Sequence, residues 1–191
     1  MKPATWVLAA TSVLGLSLSV GLCINNRSLR DKVDARRTTY PDLGTEERMS
    51  ERKEFLSWFD STWRQAEIAL HNGDAGPRFA TWSDRPPLTL FGAWFTATDP
   101  DAVHAVFHRL AKGFSNSPAS SVEVIVADVS GDLAYTVHRE RTSTSVDGVP
   151  RDYVLRVTQV YRREAGQWKV VHRHADADQG SALPPKPASP P

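Results

Sequence analysis

Residues 152–176 read DYVLRVTQVYRREAGQWKVVHRHAD, and the reading of this stretch decides the fold. Its first half is dense in β-branched and aromatic residues (Tyr153, Val154, Val157, Thr158, Val160, Tyr161) that suit a pleated, half-buried surface. Glu164-Ala165-Gly166 supplies a turn, and Trp168 to Ala175 supplies the return strand, so the segment is a β-hairpin. Side chains alternate across a regular strand, which places His172, His174 and Asp176 on one face together with Trp168 and Val170. Trp168 is too large and apolar to face water. The expectation is therefore that this face turns inward, with His172 the deeper imidazole.

Upstream of the hairpin the chain is also strand. Val122 to Val129 and Asp132 to Ser143 alternate, and Ser130-Gly131 and Asp147-Gly148 are turn pairs. Before them the period is helical. Phe55, Phe59, Trp63, Ala66 and Leu70 form one apolar face over Ser50 to Asn72, and Asn72-Gly73 stops it. Asp74 to Trp82 fits a short second helix, and Leu88 to Phe91 a short strand. Asp99-Pro100-Asp101 opens a third helix with a capping carboxylate and a proline at the first helical position. Val103, Phe107, Leu110 and Phe114 give its buried face. Helices followed by a long bent antiparallel sheet predict an α+β fold. About three N-terminal helices pack on the concave face of a curved, cone-shaped sheet, whose mouth is the place for a pocket.

The 191 residues carry a net charge of only +1, so no basic field argues for nucleic acid. The single cysteine, Cys23, excludes an intrachain disulfide and a cysteine-based zinc site. Neither a cofactor nor a metal is expected. Residues 1–24 read as a signal or transmembrane segment, 25–48 as a polar linker, 49–178 as the domain, and 179–191 as a disordered proline-rich tail that buries nothing. The basic flank Arg27, Arg30, Lys32, Arg36 and Arg37 favours a single-pass anchor through residues 6–24 with the domain on the cytoplasmic side. The alternatives are export after signal cleavage, and a cytoplasmic protein that starts at Met49.

Four strings resemble one family: AEIALHNGDAGPRFATWS (66–83), LTLFGAW (88–94), DLAYTVHRERT (132–142) and RVTQVYRREAGQWKVVHRHAD (156–176). Over roughly Met49 to Asp178 the chain resembles SnoaL-like domains of the cystatin-like, nuclear transport factor 2-like superfamily. That superfamily includes ketosteroid isomerase and polyketide cyclases. The resemblance implies the cone fold. It also implies a place among isomerases, cyclases, dehydratases and non-catalytic binding or dimerisation domains. The helix over Ser50 to Asn72 has no tyrosine, so the isomerase's oxyanion tyrosine has no counterpart there, and Phe95 stands after Trp94 where close relatives carry glycine.

The sequence puts its candidate chemistry on the terminal hairpin. His172 or His174 would be a general base, Asp176 or Glu140 would orient it, and Arg156 would stabilise developing negative charge. The plainer alternative is one core histidine, one solvated histidine, and an ordinary cross-strand Glu140–Arg156 ion pair. Phe91, Trp94 and Tyr135 would form a stackable ligand wall, or simply core. His-x-His is also a metal pair, but it lacks a third ligand other than Glu140 or Asp176. His104 and His108 belong to a solvated helix face, and His138 has no readable role. The expected function is binding of a small, partly apolar molecule in the cone without catalysis. Acid–base isomerase, cyclase or dehydratase chemistry and dimerisation through the sheet are the alternatives.

Overall fold

Phe55, Phe59 and Trp63 are spaced by fours, which a straight α-helix cannot keep on one line, because each step overshoots a turn by roughly 40°. The protein resolves this with a wider turn. Helix α1 (Thr45–Trp58) passes into a π-helical turn over Phe59–Trp63 and then into α2 (Arg64–Leu70), with right-handed helical backbone at both joints. Phe55, Phe59, Trp63, Ala66 and Leu70 are all buried as a result. The computed structural model describes residues 45–118, 120–184 and 186–187. The expected anchor at 1–24 and most of the expected linker lie outside the described residues. Helix α1 begins at Thr45, inside the stretch read as linker. No helix among the described residues is long and apolar enough to cross a membrane.

Helix α3 (Gly76–Thr81) is short, and α4 (Pro100–Gly113) starts where expected, with the Asp99 carboxylate accepting the Ala102 N–H at 2.9 Å. The strands are β1 (Thr89–Phe91), β2 (Thr96–Ala97), β3 (Phe114–Ser115), β4 (Ser120–Ser130), β5 (Leu133–Val146), β6 (Val149–Glu164) and β7 (Gln167–Ala177). They form one sheet in the order β2-β1-β7-β6-β5-β3, with β4 also on β5. The sheet expected to be antiparallel is mixed, because β1 joins β7 in parallel. The β6–β7 turn has both central residues at positive φ (Ala165 48°, Gly166 78°), as a two-residue hairpin turn requires. The helices cover the inner face of this curved α+β sheet, with Phe55, Phe59, Trp63, Trp82, Phe107, Tyr161, Trp168 and Val170 in the core between them.

The C-terminal segment departs from its reading as a tail that buries nothing. Asp178 donates its N–H to the Val154 carbonyl at 2.9 Å, and the Val154 N–H donates to the Ser181 hydroxyl at 2.8 Å. Pro184 and Pro187 are buried. Their carbonyls accept N–H groups from the Trp94 indole and the Arg109 guanidinium, each at 3.1 Å. A chain poor in backbone donors can still dock through its acceptors.

Candidate functional site

Strand β5 turns Thr136, His138, Glu140 and Thr142 inward, and all four are buried. Consecutive inward polar residues must find partners, and here they form a chain. Glu140 carries a carboxylate and can only accept, so His138 donates from Nε2 to Glu140 Oε1 at 2.9 Å. Its Nδ1 lies 3.0 Å from the Thr136 hydroxyl, which in turn lies 3.0 Å from the Tyr161 hydroxyl. From β7, Arg173 clamps Glu140 with two bonds, Nη1 to Oε1 at 2.7 Å and Nη2 to Oε2 at 2.6 Å. Its Nη1 also lies 3.4 Å from Gln159 Oε1. Burial alone would push the Glu140 carboxyl up. The Arg173 charge and the bonds from Arg173 and His138 instead hold it well below the usual carboxylate range.

A second polar group faces the same space from the helices. His71, just after α2, donates Nδ1–H to the Glu67 carbonyl at 2.8 Å. Its Nε2 is therefore an acceptor, and the Tyr153 hydroxyl of β6 donates to it at 3.1 Å. Burial drives the His71 pKa down to about 4, with Glu140 and Arg173 acting on it in opposite directions. Burial also pushes the Tyr153 phenol up, so it stays protonated. The Glu67 carboxylate is buried against Arg78.

These groups surround a cavity of about 50 Å³. Leu90, Trp94, Phe95, Val106, Phe114 and Leu155 form its apolar walls, and His71, Tyr153, Glu140 and Arg173 lie on its polar side. One water needs roughly 10–15 Å³ on this scale, so the cavity holds a few waters or a small organic fragment. A larger guest must move the rim.

Of the candidate site residues His172, His174, Asp176, Glu140, Arg156, Phe91, Trp94 and Tyr135, only Glu140 and Trp94 line this cavity. The inward orientation expected for His172 and His174 is overturned by a β-bulge. Val160 pairs with His172 but Tyr161 pairs with Val170, which leaves Val171 as an extra residue. Alternation therefore changes frame. Trp168 and Val170 point in, then Arg173 and Ala175 point in, and His172, His174 and Asp176 take the outer face. His172 is half-buried there, 2.6 Å from the Thr89 hydroxyl, while His174 is exposed. Burial and the neighbouring His174 lower the His172 pKa. Phe91 meets both imidazoles edge-on at the outer surface. Arg156 does not reach Glu140. In the register Arg139 lies opposite Arg156 and Glu140 opposite Leu155, so the two side chains take opposite faces. Arg156 is exposed and forks onto Asp176 instead. Tyr135 also lies outside. No group of three or more candidate metal ligands exists among the described residues.

The sequence reading missed His138, His71, Tyr153, Arg173 and Glu67. Two signals for them exist in the sequence. Polar residues recur at every second position from Thr136 to Thr144, against the apolar pattern of an inward strand face. On β7 the apolar positions switch from even (Trp168, Val170) to odd (Ala175), which requires an extra residue between them.

The fold agrees with the comparisons to known proteins. A ketosteroid isomerase-like protein from Erwinia carotovora atroseptica superimposes with a TM-score of 0.53 at 16% identity, covering 68% of this chain and 97% of that one. A nuclear transport factor 2-like protein of unknown function in nutrient uptake from Rhodospirillum rubrum gives 0.52 at 21%, covering 64% and 98%. A protein of unknown function from Mycobacterium tuberculosis gives 0.57 at 10%, covering 71% and 78%. These likenesses show the fold alone. No curated protein matches the chain. The family model for the SnoaL-like domain matches residues 59–176, from the π turn to the end of β7. The chain belongs to the SnoaL-like domain family.

Proposed function

We propose that this domain binds a small, uncharged, largely apolar molecule bearing a carbonyl or hydroxyl oxygen, and that it does so without catalysis. The observation that carries this reading is the composition of the cavity. Its walls are apolar, and the buried charges beside it are already neutralised as Glu140 with Arg173 and Glu67 with Arg78. A charged guest would bring an uncompensated charge into a buried space. Arg173 has more N–H donors than Glu140 and Gln159 take up, and a ligand oxygen can accept one.

Proton-transfer chemistry is less well supported. Both oxygens of Glu140 are engaged by Arg173, and both ring nitrogens of His71 are engaged. A base with a pKa near 4 is poorly matched to work at neutral pH. The test is binding of the polarity-sensitive ketone prodan, followed by fluorescence. Val106→Trp fills the cavity from α4 and is expected to weaken binding by about tenfold or more. Phe91→Ser, on the outer face, is expected to leave it unchanged. If binding follows Phe91 and ignores Val106, the cavity is not the site.

A second reading, as a homodimerisation module, rests on the outer sheet face. Leu133 is 54% exposed, Val126 41%, and Tyr135 and Phe91 40% each, all on that one face. Its charges are largely satisfied within the chain, as in Arg156 with Asp176 and Arg139 with Asp178. The chain is expected to be a dimer by light scattering, and Leu133→Glu with Tyr135→Glu to make it a folded monomer. A monomeric parent chain would end this reading.

A further inference from the structure

The proline-rich C-terminal segment crosses the rim of the cone. On one side it is tied to β6, where the Ser181 hydroxyl accepts the Val154 N–H at 2.8 Å. Leu183 then packs on the cluster of Tyr153, Leu155, Val157 and Ala175 beside Trp94. The Pro184 carbonyl holds the indole N–H of Trp94, a cavity-wall residue. On the other side it is tied to α4. The Lys186 ammonium sits 4.5 Å from the centre of the Phe95 ring, and the Pro187 carbonyl accepts from Arg109. Pro187 also occupies the space that Gly113 leaves open, since a Cβ on Gly113 would lie 2.9 Å from the Pro187 Cβ.

Strand β6 and helix α4 are two walls of the cavity, through Tyr153 and Leu155 on one and Val106 and Leu110 on the other. Ser181 and Leu183 are fastened to the β6 side, Pro184 and Lys186 to the Trp94–Phe95 rim, and Pro187 to α4. Pro184 and Pro187 bond through their carbonyls as acceptors, so the lack of proline N–H groups costs them nothing here. Proline also restricts the free segment in advance, which lowers the entropy lost on docking.

We infer that Ser181 to Pro184, with Lys186 and Pro187, form a strap that closes the cone and gates access to its cavity. The inference rests on the cavity being the ligand site. A guest larger than a fragment must then lift the strap and release Trp94, which lines the cavity. Gating acts on rates: opening speeds association and dissociation together, while affinity moves less.

The experiment compares the full chain, a chain ending at Gly180, and the full chain with Gly113→Ala, whose new methyl group would lie 2.9 Å from Pro187 Cβ and 3.2 Å from Asp147 Oδ1. Stopped-flow prodan fluorescence is expected to show both rates raised on the order of tenfold on truncation and raised less by Gly113→Ala. A synthetic peptide of residues 181–191 added in trans should slow them again. NMR exchange of the Trp94 indole N–H should accelerate in the same order, with no ligand present. If the strap does not close the site, the three proteins share one pair of rates and one Trp94 exchange rate. If truncation unfolds the domain, Gly113→Ala decides alone. If prodan binds none of them, the ligand-site reading falls, and the Trp94 exchange still decides whether the strap closes the rim.

Discussion

Replacing Arg173 with methionine is expected to cost about 3–5 kcal/mol, measured by urea unfolding at pH 7, because it leaves the Glu140 carboxylate buried and unpaired. Glu140 keeps only the His138 bond, and burial then raises its pKa instead of lowering it. The sign of its pH dependence reverses with it. In the parent chain the depressed Glu140 pKa contributes stability above the unfolded carboxylate value, lost as pH falls through the folded one. In the variant the raised pKa favours the folded state at low pH and loses that advantage as pH rises. The variant should thus lie closer to the parent at pH 5 than at pH 7. Pairing Arg173→Met with Glu140→Leu should recover most of the loss, since an apolar pair has no charge to desolvate. Full cost in the double variant would mean that the guanidinium stabilises through packing and Gln159 rather than through the ion pair.

Between pH 6.5 and 4 the domain is expected to lose about 3 kcal/mol through His71 alone. The ring is neutral and buried in the fold with a pKa of about 4, against 6.5 for the free side chain. In that window the unfolded chain binds the proton and the folded one does not. Stability therefore falls as pH falls, by up to about 1.4 kcal/mol per unit, and this contribution is flat above 6.5. His71→Gln keeps an acceptor for Tyr153 and removes this titration, so its stability should be level from pH 6.5 to about 5 and fall below that only through the carboxylates. An unchanged slope in that variant would place the acid sensitivity elsewhere.

The fold was legible because it is written in periodicity. Phe55 to Leu70 mark a helix face, Asp99-Pro100 marks a helix start, and Glu164-Ala165-Gly166 marks a hairpin. Each is a local signal that the tertiary structure keeps. The parallel seating of β1 on β7 was not legible, since strands so short do not state their partners. The candidate site was legible only in part. Glu140 and Trp94 were found, but Glu140 was paired with the wrong arginine, because Arg156 and Arg173 are equally plausible until the register is known. His138 looked idle because its partners, Thr136 and Glu140, lie two residues to either side, where a strand can satisfy an imidazole with its own neighbours. The docking of the tail was hidden by composition. Proline-rich sequence states that a segment cannot form helix or sheet, and says nothing of whether its carbonyls find donors.

The single extra residue at Val171 means that β7 is written in two phases, one on each side of a comma. Before it, even-numbered positions belong to the hydrophobic interior; after it, odd-numbered ones do. The bulge, and not the count of residues, thus assigns Arg173 to the chamber and the His172–His174 pair to the exterior. Straightening the strand with Val171 kept in the ladder would exchange the two sets wholesale, putting imidazoles where the guanidinium now stands and stranding Glu140, whereas deleting Val171 would leave a regular strand with Arg173 still facing in. Chains of this shape with the same letters but no bulge at this point would carry different chemistry inside the same walls. Aligning them by letter alone would match histidine to histidine while the folded molecules match histidine to arginine.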